Sequence, residues 1–487
     1  MTLDQAAPTT TRTGQDLLDL QRSAHRRDGS PDAATRIDRL ERLEAMMVAY
    51  ADRFAAALDA DFGTRPHELS VASEVVSPLM DFAHQRKHLA SWMKTTHVNK
   101  VAGRFSLSGR LRREPLGVVG VIGAWNFPVQ LTMSPAAAAL AAGNRVVIRP
   151  SEVTPLTAQV MADAVSEFFD PEVLAVVLDD VTSGPEFASL RFDHLMFTGS
   201  PKVGALVGAA AAANLVPHTL ELGGKNPVIV HTDADIVRAA KQIARARLIN
   251  GGQVCLCPDY VFVPRASEER FVEAVLEEWR AMVPTIRDNP GYTSIVNEAN
   301  FRRVVGLVED AAAKGASVRS ATPAGENLPD AASRKIAPTV LQSVTSEMDI
   351  DGEEVFGPVL AVHPYDYVSE ATDYIGDRPH PLTLYWYGPE GAEFEWVLGR
   401  TQSGSVNVND FGVNMLLTDL PFGGVGQSGY GAYHGQTGFN TFTHLRPVAV
   451  SNVNFSIAGL TTPPFGKLSR LMNKAQLAQT ARRLRKR

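Results

Sequence analysis

The chain has 487 residues, 45% of them hydrophobic, a net charge of −6 and two cysteines. That length allows two to four domains with full cores, at roughly 150 residues each. The charge excludes a broadly basic nucleic-acid binder, and two cysteines exclude a disulfide framework and point to a reducing, cytoplasmic compartment.

Met1 to Gly14 is polar and Thr-rich, without the apolar run of a signal peptide, and residues 1–13 read as disordered. Apolar segments such as Leu116–Trp125 fall far below the ~18 residues a membrane span needs. Ile37, Leu40, Leu43, Met47, Tyr50, Phe54 and Leu58 recur at helical spacing and predict one amphipathic helix from Arg36 to Phe62. A second helical run extends from Glu68 to about Lys94. Val98 to Leu116 turns basic, with Arg104, Arg110, Arg112 and Arg113 among apolar residues, and reads as an exposed hairpin.

From Gly117 the pattern alternates strand and helix. Val118–Gly123, Arg145–Arg149, Leu174–Leu178 and His194–Thr198 read as buried strands, with helices over Ala136–Ala142 and Thr157–Phe169 between them. This is the signature of a doubly wound α/β domain. The turn Thr198-Gly-Ser-Pro-Lys-Val-Gly204 opens a helix and lacks the GxGxxG spacing, yet its free backbone N–H groups suit a phosphate. A second α/β region begins near Pro227 with Val228–Val230 and a helix over Asp233–Ala246, and runs to about Gly404. Leu420–Gly431 is glycine-rich enough for a loop or lid, and Thr441 to Val450 returns to strand character. From Lys467 the tail carries eight lysines and arginines and no acid. Leu468, Leu471, Met472 and Leu477 are expected on one apolar face, either packed on the chain itself or laid against an anionic membrane surface.

Both cysteines lie in Asn250-Gly-Gly-Gln-Val-Cys-Leu-Cys257. A thiol in such a turn at a helix end faces backbone N–H groups, a setting expected to lower its pKa and favour the thiolate. The plain alternative is two small apolar fillers. Upstream lies Thr219-Leu-Glu-Leu-Gly-Gly-Lys-Asn-Pro227, with Glu221 between leucines before a Gly-Gly turn. Ala124-Trp-Asn-Phe-Pro128 precedes it, and Glu353-Glu-Val-Phe-Gly-Pro358 and Leu420-Pro-Phe-Gly-Gly-Val-Gly-Gln-Ser-Gly429 follow.

These five stretches, in this order, resemble the aldehyde dehydrogenase superfamily, and the likeness runs from about Asp38 to Pro447. The resemblance implies NAD(P)-dependent oxidation of an aldehyde to the acid through a thiohemiacetal and a thioester on Cys255. It makes Asn126 and the backbone N–H of Cys255 the oxyanion donors, and Glu221 the general base. It gives the nicotinamide ribose to Glu354, with Phe356 nearby, and the adenosine ribose to Glu152. The Gly199, Ser200 and Gly204 turn then lies beside the pyrophosphate, and Trp125, Ser151 and Leu222 complete the cofactor set, with no metal. Arg149 stands where the family usually has lysine, and its planar fork suits phosphate, so NAD with NADP also in use is the expectation.

The implied architecture is two doubly wound α/β domains, an atypical Rossmann cofactor domain and a catalytic domain, plus a β-hairpin and edge-strand oligomerisation region. Residues 1–98 and 118–226 would bind the dinucleotide, 227–420 would be catalytic, 99–117 and 430–450 would form the arm, and 451–487 the basic tail. Arg378-Pro-His-Pro-Leu-Thr-Leu-Tyr385 and Tyr430-Gly-Ala-Tyr-His-Gly435 look like the class 3, fatty aldehyde and coniferyl aldehyde branch. That branch implies a homodimer and an aromatic or medium- to long-chain aliphatic aldehyde. A coenzyme A-acylating enzyme is the alternative, against which Glu221 counts, and a non-catalytic binding protein is another.

Overall fold

The computed structural model describes residues 12–98, 107–451 and 457–485. Of the disorder predicted for residues 1–13, residues 1–11 lie outside the described residues, as do the hairpin tip with Arg104 and the last two basic residues, whereas Thr13 is ordered as a helix cap. Among those described, residues up to Trp92 and from Pro115 to Thr443 form one compact unit, and those in Met93–Glu114 and His444–Arg487 form a second.

The first unit holds two sheets. In the six-stranded sheet, Val118–Ile122, Arg145–Arg149 and Leu174–Val176 lie side by side and parallel. The chain then returns to the other side of Val118–Ile122 with His194–Gly199, followed by His218–Leu222. Their residues are almost all buried, as β-branched strands covered by helices on both faces must be. The strand order reverses between Val118–Ile122 and His194–Gly199, and this opens a crevice at their carboxyl ends. The short strand Gly429–Tyr430 adds antiparallel to the edge and pairs Gly429 with Glu221. The expected lid over 420–431 is therefore tied into the sheet.

The seven-stranded sheet is parallel except at Ser317–Ser320, which pairs antiparallel with Thr339–Gln342. Its central strand is Pro258–Pro264, flanked by Val359–Tyr365 and Asn226–Val230, and Thr383–Tyr387 lies on the far side of Asn226–Val230. Alternate residues feed separate cores: Val228 and Val230 pack with Val261 and Trp279, while Ile229 packs with Tyr260 and Trp386. Leu222 and Asn226 end one sheet and begin the other, so Gly223–Lys225 is the joint between them.

The helical N-terminus departs from the expectation in two places. A helix, Gly14–Asp28, precedes the predicted ones; Thr13 and Asp16 form its capping box, but its buried stripe is short and includes Gln21, which hid it. The expected helix 36–62 is split into Ala33–Ala49 and Ala51–Phe62. Tyr50 leaves helical geometry between them (φ −103°, ψ 5°), and its hydroxyl donates to Glu167 at 2.5 Å.

One buried ion pair fixes these helices against the sheet. A π-helical turn over Val71–Val76 carries Glu74 inward, where it meets Arg65 at 2.8 Å with both side chains fully buried. The other Glu74 oxygen accepts the N–H groups of Val129 (3.0 Å) and Gln130 (2.9 Å), which begin the buried helix Gln130–Ala141. Arg65 sits between the rings of Phe62 and Phe127 and donates to the backbone oxygen of Asn126 at 3.2 Å.

In the second unit, Thr96–Val98 and Leu107–Pro115 form the expected antiparallel hairpin, and Thr443–Ser451 adds as the third strand. Thr441 itself ends a helix, Gly435–Thr441. The tail forms the helix Lys467–Leu484, almost wholly exposed. Its apolar residues do not share one face: Leu477 is nine residues beyond Leu468, half a turn around the axis at 100° per residue. No described helix is long and apolar enough to cross a membrane.

Removing one member of a buried pair strands the other charge. Glu74→Ala should cost about 3–5 kcal/mol in denaturant unfolding, whereas the double variant Arg65→Met, Glu74→Leu should recover most of it. Equal losses in both would show that the packing, and not the stranded charge, sets the cost.

Candidate active site

The turn before Cys255 is made by three consecutive residues in the left-handed region: Asn250 (φ 52°), Gly251 (φ 64°) and Gly252 (φ 78°). At Gly252 a Cβ would stand 2.3 Å from the oxygen of Gly357, so glycine is required twice over, by angle and by space. Gln253 then locks the turn from within the protein. Its amide donates to the oxygens of Asn250 (2.8 Å) and Ser294 (3.1 Å), and its Oε1 accepts the N–H of Val296 at 2.9 Å. Asn226 holds the next segment, donating to the carbonyls of Cys255 (2.7 Å) and Cys257 (3.0 Å).

The result is selective exposure. Every residue from Asn250 to Pro264 is buried except Cys255, which keeps partial access to solvent. Cys257 faces inward, its thiol against the oxygen of Ala246 at 3.4 Å, and burial pushes it up to about 12. Asn126 reaches the same turn: its side-chain amide donates to the oxygen of Gln253 at 3.1 Å, and Asn250 donates to the oxygen of Asn126 at 3.0 Å.

The expected thiolate-favouring setting is not what the residues create. Burial, then the carboxyls of Glu354 and Glu221, raise the Cys255 thiol well above its ordinary range, and one backbone hydrogen bond offsets little of this. Glu221, at the carboxyl end of its strand, is buried with neither oxygen hydrogen-bonded, and burial raises its pKa well above that of an ordinary carboxyl. Glu354 is raised to about 8, mainly by burial and then by Asp259. It lies against Gly223, where a Cβ would stand 2.2 Å from its Oε2. Burial holds all three towards their neutral forms, and the charges of Lys225 and Arg247 offset only part of the shift at Glu354.

The residues named for the cofactor gather at the carboxyl edge of the six-stranded sheet. Trp125 follows Val118–Ile122, half-buried between Phe62 (6.3 Å) and Phe356 (5.3 Å). Arg149 ends its strand, with Ser151 and Glu152 in the following turn. Gly199 and Ser200 end theirs, and Ser200 caps the helix Pro201–Ala213 by accepting the N–H of Val203 at 3.3 Å. Gly204 lets that helix close on Leu222, which a Cβ would meet at 2.5 Å. Phe356 lies beyond the sheet in a left-handed conformation (φ 48°).

Arg149 is not free. It pairs with Glu152 at 3.1 Å and with Asp179, and donates to the oxygens of Thr182 (3.3 Å) and Pro150 (3.4 Å). Sequence reasoning missed Asp179, Gln253 and Asn226. Asn226 stands in the quoted Gly-Gly-Lys-Asn stretch, but only the fold shows a buried amide spanning two carbonyls.

Two doubly wound sheets, joined beside a partly exposed thiol, define a dinucleotide-using α/β enzyme. Residues 16–448 match the model of the aldehyde dehydrogenase family, and the chain belongs to that family. It is 42% identical to the coniferyl aldehyde dehydrogenase of a Pseudomonas species, over 89% of this chain and 90% of that protein. It is 36% identical to the dimeric NADP-preferring aldehyde dehydrogenase of Rattus norvegicus, over 86% and 90%. The substrate-bound Staphylococcus aureus AldH superimposes with a TM-score of 0.87 at 32% identity, covering 95% of this chain and 99% of that one. The protein is thus an oxidoreductase that oxidises an aldehyde with NAD(P).

The raised thiol makes a measurable statement about the protein without cofactor. Alkylation of Cys255 by iodoacetamide should be slow at pH 7 and still climbing at pH 10, where an ordinary thiol of pKa ~8.5 has levelled off. At pH 9, above the point at which Glu354 ionises, Glu354→Gln should speed labelling several-fold by removing a nearby negative charge. A plateau near pH 8.5 would refute the burial argument.

Proposed function

We propose that the protein oxidises an aromatic aldehyde of the coniferaldehyde type, with medium- or long-chain aliphatic aldehydes as the second class, using Cys255 as nucleophile. The observation that carries this reading is that one thiol alone remains accessible in a fully buried stretch, with Asn126, Glu221 and Glu354 around it. The 42% identity to a coniferyl aldehyde dehydrogenase supports the aromatic substrate.

Once ionised, Glu221 takes the thiol proton, and the sulfur adds to the aldehyde carbon, giving a thiohemiacetal. Its oxygen is met by the Asn126 amide and the Cys255 backbone N–H. The bound dinucleotide supplies the hydride acceptor. Oxidation leaves a thioester on Cys255; Glu221 passes the thiol's proton to solvent, draws a second one from the water that adds to the thioester, and returns it to the departing Cys255 sulfur as the acid is released. A carboxyl whose pKa is raised by burial is a stronger base once ionised. Because burial disfavours charge here, a single negative charge passing between Glu221, Cys255 and the oxyanion is the cheapest arrangement.

The residues suit a dinucleotide: an unpartnered buried carboxyl at Glu221, and a capped helix start at Ser200 on the strand-reversal crevice. We assign its pyrophosphate to Gly199, Ser200 and Gly204, its adenosine ribose to Glu152 with Ser151, and its nicotinamide end to Glu354, Phe356, Trp125 and Leu222. Residues up to 226 outside the hairpin are the dinucleotide part, 227–420 the catalytic part. The three-stranded sheet, whose strand Thr443–Ser451 has no neighbour on its outer side among the described residues, is assigned to pairing with a second copy. The rat relative's name supports a dimer. The basic tail, without a single apolar face, is assigned as a solvated helix, and two unpaired cysteines support a cytoplasmic setting.

Cys255→Ala should keep dinucleotide binding and lose aldehyde oxidation, while Cys257→Ala keeps most activity. Comparable losses would overturn the assignment. Hexanal, decanal, benzaldehyde and coniferaldehyde, each assayed with NAD and NADP, test the substrate; the highest kcat/KM is expected for coniferaldehyde.

Arg149 on sequence grounds favours NADP, but Asp179 and Glu152 occupy its fork, and two carboxylates would face a 2′-phosphate. Asp179→Asn should free it and raise the NADP-to-NAD ratio of kcat/KM about tenfold, equivalent to ~1.4 kcal/mol. An unchanged ratio would mean that Asp179 does not restrain Arg149 in the working enzyme.

A further inference from the structure

A second cleft, of about 420 Å³, lies at the opposite edge of the six-stranded sheet from the proposed cofactor site. Its walls are the Asp28–Asp32 turn between the helices Gly14–Asp28 and Ala33–Ala49, Arg39 on the second helix, and Gly143 and Arg145. Arg145 begins the strand that Arg149 ends, so the two edges stand roughly 13 Å apart at ~3.3 Å per residue.

Three guanidinium groups are sunk around this cleft. Arg36 is structurally satisfied: it donates to the oxygens of Ala142 (2.7 Å), Pro31 (3.0 Å) and Ala141 (3.2 Å), and to the Ser30 hydroxyl (3.1 Å). Arg145 pairs with Asp28 at 2.6 Å, a carboxylate that it shares with Arg27. Arg39 is different. It is only 6% exposed, makes one hydrogen bond, to the oxygen of Asn144 at 3.3 Å, and meets no carboxylate within ion-pair distance among the described residues. Burial, then the charges of Arg145, Arg42 and Arg36, push it down to about 10, with Asp28 the one opposing charge.

A guanidinium has five N–H donors in a planar fork, and Arg39 leaves most of them facing a cavity many times the ~30 Å³ of a water molecule. Burying such a group unpaired is unfavourable unless an anion completes it. Asp28 is already neutralised by its arginines, and Asp32 caps its helix by accepting the N–H of Thr35 at 2.9 Å, so neither carboxylate is free to serve. The exposed Ser30 hydroxyl adds a donor at the rim.

We propose that this cleft is a binding site for a phosphate dianion, free or as a small monoester, held by the unpaired Arg39 and independent of the dinucleotide. Fork-shaped donors match phosphate oxygens in pairs, and the space beside Arg39 accommodates an organic group that chloride would not fill.

The test is calorimetric titration of the full-length protein with inorganic phosphate and with glycerol phosphate, at constant ionic strength with chloride as control, together with NADH binding by fluorescence. Saturable binding of one phosphate per chain, undiminished by saturating NADH, is expected. Arg39→Gln should weaken it about tenfold or more and leave NADH affinity unchanged. Ser30→Glu, an exposed substitution that sets a carboxylate at the rim, should do the same, and decides the matter alone if Arg39→Gln does not fold. Tighter binding of the monoester identifies an organic phosphate, and equal binding identifies the free ion. No saturable binding, binding that NADH displaces, or binding unaffected by Ser30→Glu would overturn the proposal.

Discussion

The geometry of the site depends on one backbone constraint, the left-handed run Asn250-Gly251-Gly252. Three such residues in succession are tolerable only where two are glycine and the third is asparagine, whose short side chain suits that region. The run reverses the chain tightly enough that Gly252 stands against Gly357, in the segment that carries Glu354 and Phe356. It also points the carbonyls and amides of 250–253 at Asn126. Cys255, Asn126 and the Glu354 segment are therefore set by one turn. Any Cβ at Gly252 must move all three.

Around that turn the protein separates its charges. Arg65 and Glu74 carry a complete pair just behind Asn126, balanced by helix N–H groups and two aromatic rings, so that Asn126 rests on a rigid support. The pocket in front contains Glu221, Glu354 and Cys255, all held towards their neutral forms by burial. Had the Arg65 charge faced the thiol, it would have stabilised a resting thiolate and left Glu221 a weaker base. The arrangement instead keeps the Cys255 thiol protonated at rest.

Much of this was legible in the sequence because strands buried on both faces write continuous apolar runs, and because glycine pairs mark turns that nothing else can make. Val118–Ile122, Arg145–Arg149 and His194–Gly199 fall within a residue or two of their expected positions. The split at Tyr50 was invisible, since the apolar spacing runs through it unbroken and the partner of its hydroxyl, Glu167, is more than a hundred residues away. The direction of the Cys255 shift was also out of reach. A turn near a helix end looks favourable to a thiolate until the depth of burial and two distant carboxyls are known. Asp179 reads as a surface residue, and only strand pairing brings it to Arg149.

The C-terminal glycine-rich stretch shows how a segment that reads as a lid becomes part of the framework. Gly429 takes φ 127°, and a Cβ there would stand 2.0 Å from the oxygen of Leu220; Gly431, at φ 83°, crowds Thr219 in the same way. Without side chains at these points, Gly429–Tyr430 can lie directly on the strand of Glu221, and the backbones of Phe422 and Tyr433 bond to each other at 2.8 Å in both directions. This carries Tyr433 into the interior, where burial first, and then the charges of Glu221, Cys255 and Asp81, raise its phenol. The Glu221 carboxyl is thus buried beside a chain segment two hundred residues downstream. Its basicity is a property of the whole unit, and no local motif around Glu221 could supply it.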